Sequence, residues 1–184
     1  YVKLKKYLDE GWPTKPRNLN EVQPDAQKGM VAAQYELAAL HALGVGGAGE
    51  SAADALQWAT KAAAQGHAGA QYYLGICAEE GRNVARSSAK AKEWYLKAAA
   101  QNHAGAQNNL AAMLEEAKAV EEAGPLYVKA AKGGSANGCY NLARLIETGG
   151  GGLGEADPKA AFEEFAKSAR MSHGPAQNNL GLMY

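Results

Sequence analysis

The sequence predicts an all-α solenoid of stacked helix pairs, and three observations carry that prediction. A phrase centred on a leucine returns five times, as Ala33-Gln34-Tyr35-Glu36-Leu37, Ala70-Gln71-Tyr72-Tyr73-Leu74, Ala106-Gln107-Asn108-Asn109-Leu110, Gly138-Cys139-Tyr140-Asn141-Leu142 and Ala176-Gln177-Asn178-Asn179-Leu180. These repeat leucines lie 37, 36, 32 and 38 residues apart, a period that marks a stack of one repeated supersecondary unit. A second phrase alternates with the first and carries Lys61, Lys97, Lys129 and Lys167 in register. Finally, 40 of the 184 residues are alanine, the strongest helix former and one small enough to let helices approach closely.

The spacings divide each repeat into a helix A, a loop and a helix B. Every repeat lysine stands 13 residues before the next repeat leucine, whereas leucine to lysine within a repeat is 24, 23, 19 and 25. The constant junction reads as packed and the variable one as a surface loop, where insertions are tolerated. The expected organisation is an N-terminal segment over 1–29 and a repeat array over 30–184, with repeats at 30–66, 67–102, 103–134 and 135–172 and a partial one at 173–184.

In chain order, Val2, Leu4 and Leu8 suggest a short helix ending at Gly11. Trp12, Pro13, Pro16 and Pro24 then read as an irregular capping segment, as array ends require. In the second repeat, Ala70, Leu74, Cys77 and Ala78 predict a helix A over about 69–80, and Ala91, Trp94, Tyr95 and Ala98 a helix B over about 89–101, because these spacings share one helical face. Loops are expected over 44–49, 81–88 and 149–158, with Asp157 and Pro158 opening the last helix B. The third repeat has few residues to spare near 117–122, so its helices join by a tight turn or run on. The chain stops inside a helix A. Leu180, Leu182, Met183 and Tyr184 then lack a helix B to cover them, and the expectation is that the natural protein continues or that a partner packs there.

Composition narrows the function. The 19 basic residues balance the 19 acidic ones, which argues against nucleic acid or an anionic membrane as partner. No apolar run reaches the length of a membrane span. Cys77 and Cys139 are too few for a disulfide scaffold and, in the second and fourth repeats with a whole repeat between them, are not expected to pair. No secretory signal or glycosylation acceptor is visible, so an intracellular compartment is expected, cytoplasmic or organellar, with any targeting segment already absent.

The motifs that could carry chemistry yield structural readings. His67, His103 and His173 share one position just before helix A, and sites a repeat apart are too distant to share a metal. They read as residues that open the helix. His41 stands on helix A and reads as a packed ring. Gly44, Gly46 and Gly49, like Gly149, Gly151 and Gly154, match a dinucleotide-loop pattern, but each follows a helix rather than a strand. The pairs Glu79-Glu80 and Glu115-Glu116, with Glu147 in register, read as a solvated edge or as an acidic rim for a basic partner. Lys3, Lys5, Lys6, Lys15 and Arg17 form a small basic cluster. No catalytic, cofactor or metal constellation emerges, so the chain is read as no enzyme.

The repeated phrases resemble the Sel-1-like repeat family, relatives of tetratricopeptide repeats. The second repeat is most similar, with Ala70, Leu74, Gly75, Gly81, Lys90, Ala91, Trp94, Tyr95, Lys97, Ala98, Ala99 and Gln101 in the family pattern. The Leu-Gly glycine is replaced by alanine in the first, third and fourth repeats. The resemblance implies a right-handed α-α superhelix and a non-catalytic scaffold or adaptor that binds a protein or peptide, alone or as a fixed subunit of an assembly. The alternative is a regulatory module of an enzyme whose catalytic domain lies outside this chain. It also places helix A on a concave face. Residues two before and two after the repeat leucine then face the groove: Tyr35, Tyr72, Ile76, Asn108, Tyr140, Arg144 and Asn178. The competing reading is that the tyrosines only pack between neighbouring A helices. Leu180, Leu182, Met183 and Tyr184 are the expected edge contact.

Overall fold

The computed structural model describes residues 17–183, apart from the side chain of Met183. Its described residues form ten helices and no strand: α1 (Leu19–Gln27), α2 (Val31–Leu43), α3 (Ala52–Ala64), α4 (Ala68–Glu80), α5 (Ser88–Ala100), α6 (Ala104–Glu116), α7 (Val120–Lys132), α8 (Ala136–Thr148), α9 (Pro158–Arg170) and α10 (Gly174–Met183). The expected all-α fold of helix pairs is the one found. Even helices are the A helices and odd ones the B helices. The chain divides into two compact units, Tyr1–Ala98 and Ala99–Tyr184.

A helix B fills its side of the pair with small residues where backbones come close. Ala55, Ala59 and Ala62 of α3 are fully buried against α2 in the first unit. In the second unit Ala123 of α7 and Ala161 of α9 are buried just as completely. One helix B position holds a ring instead. Tyr95, Tyr127 and Phe165, each two residues before the repeat lysine, are among the largest fully buried side chains. These rings anchor the second, third and fourth pairs, the first having Ala59 in that place, and burying one is worth roughly 1.5–3 kcal/mol.

The constant 13-residue junction has a physical cause. The glutamine three before the repeat leucine donates back to a carbonyl of the preceding helix B: Gln34 to Ala26, Gln71 to Ala63, Gln107 to Ala99 and Gln177 to Ala169, each at 3.3 Å. Cys139 fills that role in the fourth repeat, its thiol 3.9 Å from the Ala131 carbonyl. The turn between B and A always holds one residue at positive φ: Gly29 at 90°, Gly66 at 89°, Asn102 at 62°, Gly134 at 85° and Ser172 at 61°. Adding or deleting a residue here would break both features at once.

The same geometry corrects the reading of the N-terminal segment. Residues 19–27 are not irregular; they form α1, which makes the Gln34–Ala26 bond and stands where a helix B stands. Asn18 and Glu21 form a capping box, and Val22 and Ala26 are buried. Pro24 costs the helix one backbone bond, which the cap and the burial offset. The short helix read around Val2, Leu4 and Leu8 lies outside the described residues.

The glycine loops also find their reason. The Leu19 N–H donates to the Gly46 carbonyl at 2.8 Å, seating the first loop on the start of α1. In the second unit the loop after α8 lies on α7. A Cβ added to Gly124 would come within 1.9 Å of the Gly151 carbonyl. These glycines permit backbone to meet backbone. The third repeat turns tightly through residues 117–119, with Lys118 at φ 63°.

Candidate protein-interaction surface

His67 and His103 are helix caps. The Nδ1 of His67 accepts from the Ala70 N–H at 3.2 Å, and that of His103 from the Ala106 N–H at 3.3 Å. Ser135 does the same for α8 with its hydroxyl, 3.2 Å from the Gly138 N–H. To accept, the ring must be neutral, and burial lowers the His67 pKa in that direction. His173 holds the equivalent place before α10 and is buried. His41 is half-buried, its Nδ1 3.4 Å from the Gly49 carbonyl. Among the described residues, no three His, Cys, Asp or Glu side chains gather as a metal-binding group. Both thiols are free and buried, and burial pushes each up to about 11.

Of the residues expected to face a groove, Tyr35, Tyr72, Ile76 and Asn108 are buried. Tyr35 stacks on the His67 cap with ring centroids 4.3 Å apart. Tyr72 lies against Tyr95 at 5.9 Å. Tyr140 is half-buried between the rings of Phe165 at 5.6 Å and His173 at 5.0 Å. Tyr72 and Tyr140 thus meet the ring of the helix B in their own pair, and Tyr35 and Tyr140 meet the histidine just before the next helix A. Arg144 is half-buried and Asn178 exposed. At the edge, Leu182 is 87% exposed, and Leu180 packs on the Phe165 cluster. The Met183 side chain and Tyr184 lie outside the described residues, as do Lys3, Lys5, Lys6 and Lys15. Arg17 pairs with Glu36 at 2.9 Å and with Asp25 at 3.0 Å.

What the second unit does bring together is a polar cleft over its neighbouring A helices, α6 and α8. Asn141 donates its amide to the Asn108 oxygen at 3.0 Å, and Arg144 donates to Glu115 at 3.0 Å. The other Glu115 oxygen accepts from the Tyr127 hydroxyl at 2.9 Å. Ala112, Glu115, Glu116, Tyr127, Asn141 and Arg144 line a cavity of about 390 Å³ above this network. Burial alone would raise the Glu115 carboxyl, but the bonds from Arg144 and Tyr127 outweigh it and hold it below the usual range. Burial, together with the bond to Glu115, raises the Tyr127 phenol. Sequence reasoning named Asn108 and Arg144 but missed Asn141 and Tyr127. Their signal was present: Asn141 repeats the register of Asn109 and Asn179, and Tyr127 that of Tyr95.

The cleft offers an amide, one guanidinium, a phenol and two carboxylates, groups that recognise polar partners by hydrogen bonds and charge. The Sel1 repeat family model matches residues 31–67, 68–103, 136–173 and 174–184. The chain belongs to the Sel1 repeat family. Sel1 repeats are generally non-catalytic scaffolds for protein interaction. The stretch 104–135 falls outside the match, yet α6 and α7 repeat the architecture with a shortened loop.

Two solved structures are similar over most of the chain. One is a protective antigen of uropathogenic Escherichia coli with an SLR fold, 30% identical with a TM-score of 0.78, covering 91% of this chain and 36% of that one. The other is a Sel1 repeat protein from Oxalobacter formigenes, 34% identical with a TM-score of 0.75, covering 88% of this chain and 64% of that one. This Sel1 repeat chain thus spans less than two thirds of either relative's length. No match is found among the curated proteins. No helix among the described residues is long and apolar enough to cross a membrane.

Proposed function

We propose that this chain is a non-catalytic scaffold that holds a protein or peptide partner against the helix A surface of its second unit. The observation that carries the proposal is one accessible cleft lined by Asn141, Arg144 and Glu115, in which Asn141 is bridged to the buried Asn108 and Arg144 is paired with Glu115. An extended peptide presents alternating N–H and C=O groups, and carboxamides satisfy both. Arginine at a half-buried site adds directional donors, a frequent feature of interface anchors. Tyr140 and Asn178 continue the same register on the following A helices. Tyr35, Tyr72 and Ile76 contribute by holding the helices in place, being too buried to offer much area. Leu182 is proposed as a separate edge contact.

Cross-linking with mass spectrometry in cell extract tests the surface. A cross-linkable group placed at Ala112, on the lining of the cleft, should capture one partner repeatedly. Asn141→Ala with Arg144→Ala should lower that capture at least about tenfold while leaving helicity unchanged. Undiminished capture by the double variant would count against the cleft, and turnover by the chain alone would overturn the scaffold reading.

A further inference from the structure

A second cavity of the second unit shares no lining residue with the cleft. Val128 of α7, Leu142 and Ile146 of α8, and Leu153 of the loop form an apolar floor for a space of about 300 Å³. Glu155 and Asp157 stand at its mouth. Asp157 is partly engaged, since it caps α9 by accepting the Ala160 N–H at 3.0 Å. Glu155 is exposed and has no ion pair among the described residues. The slot therefore combines an oily interior with an uncompensated negative rim.

We infer that this slot takes a lysine side chain of a partner polypeptide. A lysine lays its four-carbon stem along apolar surface while its ammonium stays at the polar edge. Here the stem would lie on Val128, Ile146 and Leu153, and the ammonium would meet Glu155. A wholly apolar side chain would fill the floor and leave the carboxylate unmatched. An acidic one would be repelled.

The first unit supplies an internal contrast. Thr60, Leu74, Ala78, Val84 and Lys90 line a space of about 220 Å³. Thr60 and Val128 both precede a repeat lysine, Leu74 and Leu142 are both repeat leucines, and Ala78 and Ile146 both stand four residues later. Lys90 there holds the register of Ala160, seven before a repeat lysine. That slot carries its own ammonium, so it disfavours a second cation.

The test is a methyl-resolved NMR titration of the whole chain. The probes are acetyl-Ala-Ala-Lys-Ala-Ala-amide, the same peptide with norleucine for lysine, and free n-butylammonium. The lysine peptide should shift the methyls of Val128, Leu142, Ile146 and Leu153 but not those of Leu74 and Val84, and bind at least about fivefold tighter than the norleucine peptide. Glu155→Gln, on an exposed loop, should abolish that preference, and added salt should shrink it. Equal affinity for norleucine, a preference that survives Glu155→Gln, or equal shifts at Val84 would each overturn the inference. So would n-butylammonium binding as tightly as the peptide, which would point to a small amine.

Discussion

The hydroxyl of Tyr95 donates to the carboxylate of Glu79 at 2.6 Å, tying helix B of the second repeat to the end of its helix A. Tyr127 and Glu115 form the same bond in the third repeat at 2.9 Å. Where the ring is Phe165, without a hydroxyl, the matching Glu147 is exposed; where helix B has Ala59, helix A has Ala42. The first glutamate of each acidic pair therefore follows the ring opposite it. The Tyr95 ring also explains Gly75, since a Cβ there would lie 2.4 Å from the ring.

Gly75→Ala is accordingly expected to destabilise the protein by roughly 1–3 kcal/mol through overpacking, despite alanine's better helix propensity. Tyr95→Phe should cost about 1 kcal/mol or less, because half-exposed Glu79 finds water instead. Urea denaturation of both variants checks the order. Gly75→Ala as stable as wild type would mean that the ring moves aside freely.

Gly124→Ala is expected to cost roughly 1–3 kcal/mol or more, because its methyl would collide with the Gly151 backbone, which cannot rotate away as a side chain can. Exposed helix-interior glycine to alanine normally gains stability of roughly 0.5–1 kcal/mol. A thermal melt that rises rather than falls would show that the loop does not pack on α7.

His67→Ala should cost about 0.5–2 kcal/mol as a lost N-cap, and His67→Ser should recover most of it, since Ser135 does the same work. The cap also sets a pH dependence. Burial lowers the His67 pKa in the folded chain, so its contribution is complete above about pH 6.5, the unfolded value, and is lost as pH falls through the lower folded value. Thermal melts at stepped pH should show this loss in wild type and a reduced loss in His67→Ser.

Much of this was legible beforehand. Helices expected over 69–80 and 89–101 run Ala68–Glu80 and Ser88–Ala100. Asp157 caps α9 as its place before Pro158 implied. α1 was hidden because Pro24 stands in the register of the repeat lysine and the first helix B lacks the alanine run. Tyr35 and Tyr72 were placed toward a groove by resemblance, and they turned out buried.

The sequence by itself determined the repeat, the helix pairs, their ends and the constant junction, because these depend on residues a few positions apart along one chain segment. The tertiary structure alone decided which helix A side chains stay accessible. In α4 every residue from Gly69 to Ala78 is buried, so the helix has no polar stripe to reveal its outward face. The bonds of Asn108 to Asn141 and Glu115 to Arg144 join residues 33 and 29 positions apart. Only the packing of one A helix on the next sets the angle that brings those pairs within reach.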